Sequence, residues 1–295
     1  MMDSQFGGPY GGTVCLTFDF DAISGWMGSF GFNTPGAVSQ GEFGGRVGIY
    51  RVLDLLDRYK VRASFYIPGH TADTFPEAVR EIATRGHEIG HHSYLHDSPT
   101  LYADDPSAER AMYEHGIEAI ERASGVRPIG YRSPGWDLTV DSISILQDLG
   151  FKYDSSLQGD DYHCYWARIG DVLHRDRGYE FGQPSDMVEI PVSWSWDDWP
   201  QFVFVTSPGF TSNQLANPSK VFEIWSQDID YMVERVPDGV FDITFHPQVV
   251  GRGHRIKLLE RFIEHCQQYS TLTFARMDEA AQAFRAAERA RPART

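Results

Sequence analysis

Residues 86–97 read GHEIGHHSYLHD, a short apolar strand followed by a histidine-rich segment. Within it, His92 and His96 lie four residues apart. One helical turn there would put both imidazoles on one face, because positions i and i+4 lie on the same side of a helix. Two imidazoles alone hold a metal ion weakly, so we expect a third ligand, a carboxylate, from elsewhere in the chain.

A suitable carboxylate lies at the end of the first predicted strand, residues 13–21 (TVCLTFDFD). Side chains alternate along a strand, so Asp19 and Asp21 point to the same side. Two carboxylates this close repel each other unless a cation or a strong donor lies between them. The alternatives are a plain turn or cap at the aspartates and ordinary surface positions for the histidines. Together, the carboxylate pair and the His-x-x-x-His spacing favour a metal site.

Predicted strands alternate with predicted helices along most of the chain. The strands cover residues 13–21, 62–68, 88–90, 129–132, 151–153, 187–194, 240–245 and 272–274. The helices cover residues 46–59, 75–85, 107–123, 139–149, 220–236, 254–268 and 277–290. This alternation implies parallel βαβ units and an α/β fold.

Three further polar residues stand at predicted strand ends, namely Arg132, Asp154 and His246. In an α/β barrel the carboxyl ends of the strands meet at one site, so we expect these side chains to converge with the aspartates and histidines. Salt bridging at the surface is the alternative for Arg132, and packing at a strand end is the alternative for His246.

We predict one domain over residues 1–295, with a C-terminal helix at 277–290. A glycine-rich loop insertion is expected at 22–48, and residues 160–185 are expected to be irregular. The insertion contains aromatic residues, so it is interpreted either as a loop that folds over the site or as a contact with another subunit.

Four aromatic or acidic side chains are candidates for a substrate wall: Trp26, Trp136, Trp196 and Asp154. For the tryptophans, burial in the core is an equal alternative. Neighbouring acidic residues 197 and 198 are interpreted as solvated turn residues, and the histidines at 87 and 91 as structural.

Composition excludes several function classes. The net charge of −15 argues against a nucleic-acid or anionic-membrane partner, because phosphate binding needs clustered Lys and Arg. Residues 1–12 lack the basic and apolar regions of a secretory signal, and we expect no membrane-spanning segment. The three cysteines have unrelated spacings, which favours a reducing cytoplasm over a disulfide framework.

Three motifs resemble, in order and spacing, those of the polysaccharide deacetylase family (NodB homology, carbohydrate esterase family 4). They are TFDFD at 17–21, HSYLH at 92–96 and RSPGW at 132–136. The resemblance extends from residue 13 to about residue 274. It is closest to a branch without signal peptides, which includes peptidoglycan-deacetylase-like proteins and hydrolases of cyclic imides and ureides. Trp26 and the segment at 154–157 fit that branch.

The resemblance implies a distorted (β/α) barrel, here of about seven parallel strands, with one divalent metal ion, usually Zn²⁺. It implies Asp21, His92 and His96 as the metal ligands. It further implies Asp19 as the catalytic base, Arg132 as the partner of that base and His246 as the general acid. Asp154 is the expected carboxylate partner of His246. The chain departs from the family where Asp-Phe-Asp replaces two adjacent aspartates and where Thr-Phe precedes His246.

These groups suit the hydrolysis of an amide. A zinc ion with an open position lowers the pKa of bound water to about 7 and polarises a carbonyl. Asp19 could then take the proton of the water, and Arg132 would keep Asp19 ionised and oriented. An imidazole at His246 could protonate the leaving nitrogen.

The leading hypothesis is a zinc-dependent hydrolase that removes an acetyl group from an N-acetylated sugar or polysaccharide. A cytoplasmic hydrolase of small cyclic imides or ureides is the alternative with the same metal site. A non-catalytic sugar-binding protein and a mononuclear iron oxygenase are further alternatives. The expected partners are a sugar or small-molecule substrate and, by resemblance, further copies of the chain in a dimer or tetramer.

Overall fold

The computed structural model describes residues 9–207 and 210–291. Its main feature in this part of the chain is a nine-stranded sheet, with a separate two-stranded hairpin beside it. The strands are β1 (Gly12–Asp19), β2 (Ser64–Ile67), β3 (Glu88–His91), β4 (Gly130–Tyr131), β5 (Tyr153–Asp154), β6 (Tyr165–Ile169), β7 (Gln183–Glu189), β8 (Phe204–Ser207), β9 (Phe210–Asn213), β10 (Gly239–Phe245) and β11 (Leu272–Phe274).

Helices connect most of these strands. They are α1 (Ile23–Gly28), α2 (Pro35–Phe43), α3 (Ile49–Tyr59), α4 (Gly69–Thr74), α5 (Pro76–Thr84), α6 (Pro106–Ser124), α7 (Ser142–Asp148), α8 (Trp199–Phe202), α9 (Pro218–Arg235), α10 (Pro247–Val250), α11 (Gly253–Cys266) and α12 (Met277–Ala290). A π-helical segment, Gly44–Gly48, joins α2 to α3 and is called the π turn below.

The sheet curls into a distorted (β/α) barrel with the strand order β10-β1-β2-β3-β4-β5-β7-β6, and β11 pairs with the first residues of β1. Only β6 runs antiparallel among the described strands of this sheet, and it pairs with β7. The predicted fold class is confirmed. Eight described strands of the sheet run parallel, one more than the seven expected. The segment 160–185, which was predicted to be irregular, contains β6.

Neighbouring parallel strands bury apolar side chains against one another. The ring of Phe18 in β1 stacks on Phe65 of β2, with centroids 4.8 Å apart, and on Phe245 of β10, with centroids 5.5 Å apart. All three rings are fully buried. Parallel strands that are covered on both faces read as continuous apolar runs, so the polar residues within them stand out.

The predicted loop insertion at 22–48 is wrong, because this segment forms α1, α2 and the π turn. Its glycines permit close packing that no larger residue would allow. A Cβ atom at Gly28 would lie 1.9 Å from the carbonyl oxygen of Leu95, and one at Gly41 would lie 2.2 Å from that of Ala22. Glycine has a low helix propensity, and tertiary packing overrides that preference here.

The segment His92–His96 does not form the helical turn that would put both imidazoles on one face. The segment after β3 is irregular, and both Ser93 and His96 have left-handed backbone angles, with φ of 57° and 63°. These two backbone angles, and not helical periodicity, bring the imidazoles of His92 and His96 to the same side of the segment.

In the part of the chain that is described, no helix is long and apolar enough to cross a membrane. The sheet combines β1 from one end of the chain with β11 from the other. The assignment of residues 1–295 to one domain stays a prediction, because the two chain ends lie outside the described residues.

Candidate active site

A cleft of about 220 Å³ opens at the carboxyl ends of β1, β3 and β10. Its lining contains Asp19, Asp21, Gly25, Ser29, Phe30, His92, His96, Gly135, Trp136, Trp194, Asp197, Trp199 and His246. The convergence of polar side chains at strand ends places both predicted aspartates and all three predicted histidines in this cleft.

Asp21, His92 and His96 surround one point of the cleft. The Oδ1 atom of Asp21 is buried without a hydrogen-bond partner. It lies 3.5 Å from Nε2 of His92 and 3.4 Å from Nε2 of His96. Burial raises the pKa of Asp21 well above its ordinary value, although His246 opposes this effect. An unpartnered carboxylate oxygen facing two imidazole nitrogens fits a divalent cation.

Hydrogen bonds fix the orientation of both histidines. The Nδ1 atom of His92 lies 2.6 Å from the carbonyl oxygen of Arg132, and that of His96 lies 2.6 Å from Oγ of Ser29. The carbonyl can only accept, so Nδ1 of His92 carries the proton and Nε2 keeps a lone pair for a cation between it and Oδ1 of Asp21. Burial lowers the pKa of both histidines, which favours the neutral form that binds metals.

Arg132 is fully buried and joins the two sides of the barrel. Its Nη1 donates to Oδ1 of Asp19 at 3.0 Å, and its Nη2 donates to Oδ2 of Asp242 at 2.6 Å. Nε donates to the carbonyl oxygen of Ser155 at 3.1 Å, and the guanidinium lies 4.2 Å from the ring centre of Tyr66. Burial disfavours the charged form, but Asp242 and Asp19 outweigh it and raise the pKa of Arg132.

Asp242 was missed by the sequence analysis. It lies in β10 between Phe241 and Ile243, and its exposed fraction is 1%. A signal was present, since a carboxylate inside an apolar strand requires a buried cation or donor. Arg132 supplies the cation.

His246 has a different carboxylate partner from the predicted one. Its Nδ1 lies 2.7 Å from Oδ1 of Asp198, whose two oxygens also accept from the backbone N–H of His246. The prediction that Asp154 would hold His246 is therefore wrong. Asp154 is fully buried, its Oδ1 accepts from Oγ of Ser156, and it does not line the cleft.

The interpretation of Asp197 and Asp198 as solvated turn residues is also wrong. Their exposed fractions are 2% and 0%. Burial raises the pKa of Asp197 to about 7. Burial also opposes the charged form of His246, but Asp197 and Asp198 outweigh it and raise the pKa of His246 to about 10.

Besides Asp154, two more of the four predicted wall residues lie outside the cleft lining. Trp196 is buried against Phe241, with ring centres 4.4 Å apart, and its Nε1 donates to Asp228 at 2.7 Å. Trp26 is buried behind Phe30, with ring centres 5.8 Å apart. Both are core residues because their rings pack on other aromatic rings away from the cleft surface.

The wall of the cleft has two aromatic pairs. Trp136, as predicted, lines it and stacks on Trp194 with ring centres 4.1 Å apart. On another part of the lining, Phe30 stacks on Trp199 with ring centres 6.0 Å apart. Trp194 is 44% exposed and offers an open aromatic face at the cleft mouth.

The arrangement places the carboxylate of Asp19 and the imidazole of His246 beside the candidate metal ligands. Arg132 holds one oxygen of Asp19, and the other oxygen, Oδ2, lies 4.0 Å from Nε2 of His246. The same Nε2 atom lies 3.6 Å from Oδ2 of Asp21. A base, an acid and a cation site within this distance are the groups required to hydrolyse an acyl bond.

The chain belongs to the polysaccharide deacetylase family, whose model matches residues 10–153. Among its relatives, a peptidoglycan deacetylase of Helicobacter pylori is 33% identical over 283 residues and covers 92% of this chain and 95% of its own. A peptidoglycan deacetylase-like protein of Gibberella zeae is 31% identical and covers 92% of this chain and 86% of its own. The family predicted from the three motifs is confirmed.

Solved structures agree with this assignment. A Mycobacterium smegmatis structure classed with the polysaccharide deacetylases superposes with a TM-score of 0.83 at 34% identity and covers 96% of both chains. An allantoinase structure superposes with a TM-score of 0.75 at 19% identity, covering 93% of this chain and 90% of its own. The second likeness concerns the fold alone.

Proposed function

We propose that the protein is a zinc-dependent hydrolase that removes the acetyl group from an N-acetylated sugar or polysaccharide of the peptidoglycan or chitin type. One observation carries the proposal: the unpartnered Oδ1 of Asp21 faces Nε2 of both His92 and His96, beside a carboxylate and an imidazole. The relatives named peptidoglycan deacetylases support the choice of substrate.

The three ligands suit zinc, which prefers nitrogen and oxygen donors in sites of three protein ligands with an open position. A zinc ion supplies Lewis-acid polarisation of a carbonyl and makes water more acidic. The remaining groups of the cleft orient the reactants and move protons.

Asp19 acts as the general base for the attacking water. Arg132 binds one of its oxygens, so the other is directed toward the cleft. The water oxygen forms a bond to the acetyl carbon while Asp19 accepts a proton from the water. Arg132 thus keeps the base in a single orientation through a charge-assisted hydrogen bond.

His246 acts as the general acid. Asp198 and Asp197 stabilise its protonated form, so a proton is available at neutral pH. When the C–N bond breaks, His246 gives this proton to the leaving nitrogen, and the products are acetate and a free amino sugar. Trp194 and Trp136 offer a stacked aromatic surface on which the apolar face of a sugar ring can rest.

Acetate release tests the proposal. Zinc-loaded protein should release acetate from N-acetylglucosamine oligomers, and a chelator should stop the release. The Asp19→Asn variant should lose about 10²- to 10⁴-fold in kcat while it still binds zinc, because it lacks only the base. Absence of acetate release from oligomers and from peptidoglycan would refute the proposal.

Hydrolysis of small cyclic imides or ureides is the second candidate. The cleft volume of about 220 Å³ favours it, since pockets for larger ligands usually exceed about 300 Å³. The stacked rings of Phe30 and Trp199 line one part of this cleft and limit the space for a large substrate. Ring opening of succinimide or hydantoin without acetate release from sugars would establish this alternative.

A cytoplasmic location and a dimeric or tetrameric state belong to the same proposal. All three cysteines are free in the structure, as expected in a reducing compartment. Leu173 and Phe181 are 73% and 72% exposed, which is compatible with burial against another copy of the chain. Light scattering of the purified protein measures the oligomeric state directly.

A further inference from the structure

We propose that Gln248 is a positioning residue that determines which oxygen of Asp21 is offered to the metal ion. Gln248 lies in α10, two residues after His246, and its exposed fraction is 5%. The inference rests on the proposed metal centre and adds a residue that does not itself bind the ion.

The argument begins with the two oxygens of Asp21. Nε2 of Gln248 donates to Oδ2 of Asp21 at 3.2 Å. Oδ1 receives no hydrogen bond and faces the two histidines. The amide therefore occupies one oxygen and leaves the other for the cation. Without it, the carboxylate could rotate and turn Oδ2 toward the histidines instead.

The position of Gln248 is in turn fixed by the π turn. A Cβ atom at Gly44 would lie 2.9 Å from Cβ of Gln248 and 3.1 Å from its backbone nitrogen. A Cβ atom at Gly48 would lie 2.1 Å from the carbonyl oxygen of Pro247. The glycines let the π turn pack directly on the backbone that carries the Gln248 side chain, so this part of the insertion supports Asp21 indirectly.

Hydrogen bonds to a metal-binding side chain raise its affinity because they remove alternative orientations of the ligand. Loss of such a bond typically costs about 10- to 100-fold in metal affinity. We expect a change of that size when the amide of Gln248 is replaced by an apolar group of similar length.

The test measures zinc affinity by competition with a chromogenic chelator. Gln248→Met should bind zinc about 10- to 100-fold more weakly than the unmodified protein. Gln147→Met is the matched control, because Gln147 also uses its side-chain amide, accepting from the backbone N–H of Asp186, but lies outside the cleft. Thermal unfolding in the presence of a chelator should be the same for Gln248→Met and the unmodified protein.

A second pair of variants tests the role of the π turn and does not depend on the folding of Gln248→Met. Gly44→Ala should weaken zinc binding in the same direction, because the new methyl group pushes on Gln248. Gly36→Ala in α2 should have no effect, since a Cβ atom there meets nothing within 4 Å.

The outcomes separate this inference from the proposed function. If the unmodified protein binds zinc and Gln248→Met binds it equally well, the role of Gln248 is refuted while the metal centre stands. If Gly44→Ala binds zinc normally but Gln248→Met does not, Gln248 is supported and the contribution of the π turn is refuted. If the unmodified protein binds no zinc, the metal centre and this inference both fail.

Discussion

His246 shows how neighbouring charges oppose burial at a single residue. Taking an imidazolium out of water is costly, but Asp197 and Asp198 lie 3.6 Å and 2.7 Å from its Nδ1 atom. The pKa of about 10 is higher than the ordinary value of 6.5. The ion pairs therefore contribute their full stability below pH 6.5, and this contribution is lost as the pH rises through about 10.

Asp198→Asn should move the alkaline limb of the kcat profile to lower pH by about 1–3 units, since an opposite charge in direct contact shifts a pKa by that amount. The measurement is kcat for acetate release between pH 6 and 11. Asp228→Asn is a suitable control, because Asp228 accepts a hydrogen bond from Trp196 and lies outside the cleft. An unchanged alkaline limb in Asp198→Asn would contradict the role of His246 as the acid.

Trp194 offers a separate test of substrate binding. Its stacked and partly exposed ring should contribute about 0.5–1.5 kcal/mol to the binding of a sugar. Trp194→Ala should therefore raise KM for N-acetylglucosamine oligomers about 2- to 10-fold with little change in kcat. Phe181→Ala, which removes an exposed ring outside the cleft, should leave KM unchanged.

At the scale of the secondary-structure elements, β5 and β7 carry a buried pair of carboxyl groups. Asp154 and Glu189 are register partners in these parallel strands, and each has one oxygen without a hydrogen-bond partner. Oε1 of Glu189 accepts from the backbone N–H groups of Ser156 and Leu157 at 3.0 and 2.8 Å. Burial raises the pKa of both carboxyl groups, that of Asp154 to about 6. One proton shared between the two unpartnered oxygens accounts for these observations.

This pair matters because it holds the segment that binds Arg132. Glu189→Gln keeps the acceptor and adds a permanent donor toward Asp154, so we expect a stable protein. Glu189→Leu leaves two backbone N–H groups buried without an acceptor and should cost about 2–5 kcal/mol in the free energy of unfolding. Urea denaturation of both variants measures the difference.

The pH dependence of the free energy of unfolding tests whether Asp154 and Glu189 share a proton. A raised carboxyl pKa means that the folded state holds the proton more tightly, so stability is lost as the pH rises above the unfolded-state value of about 4. Glu189→Gln should therefore lose less stability than the unmodified protein as the pH rises from about 4. Parallel stability curves for the two proteins would rule out the shared proton.

The elements also show where sequence patterns were sufficient. The predicted helix at 277–290 coincides with α12, which has an apolar face and a capping box of Arg276 and Glu279 at its start. The patterns failed at residues 22–48, where glycine indicated a loop. There the close approach to the chain around Leu95 outweighs the propensity of individual residues, and no local pattern contains that contact.

At the scale of the whole molecule, the candidate site could be predicted only where its residues carry local patterns. The spacing of His92 and His96 and the two aspartates at the end of the first predicted strand indicated a metal site, and the family resemblance selected Asp21 as the third ligand. Asp198 was misread because two aspartates after a tryptophan look solvated, and only the folded chain buries them beside His246. Asp242 lies 110 positions from Arg132 in the sequence, so their pairing depends on the barrel topology.

Zinc stoichiometry measured by elemental analysis tests the central claim most directly. After dialysis against trace zinc, the unmodified protein should contain about one zinc ion per chain. Asp21→Ala should contain almost none, because two imidazoles hold the ion weakly. Two results would contradict the assignment of Asp21, His92 and His96 as the metal centre. One is an unmodified protein without zinc, and the other is an Asp21→Ala variant that keeps one zinc ion per chain.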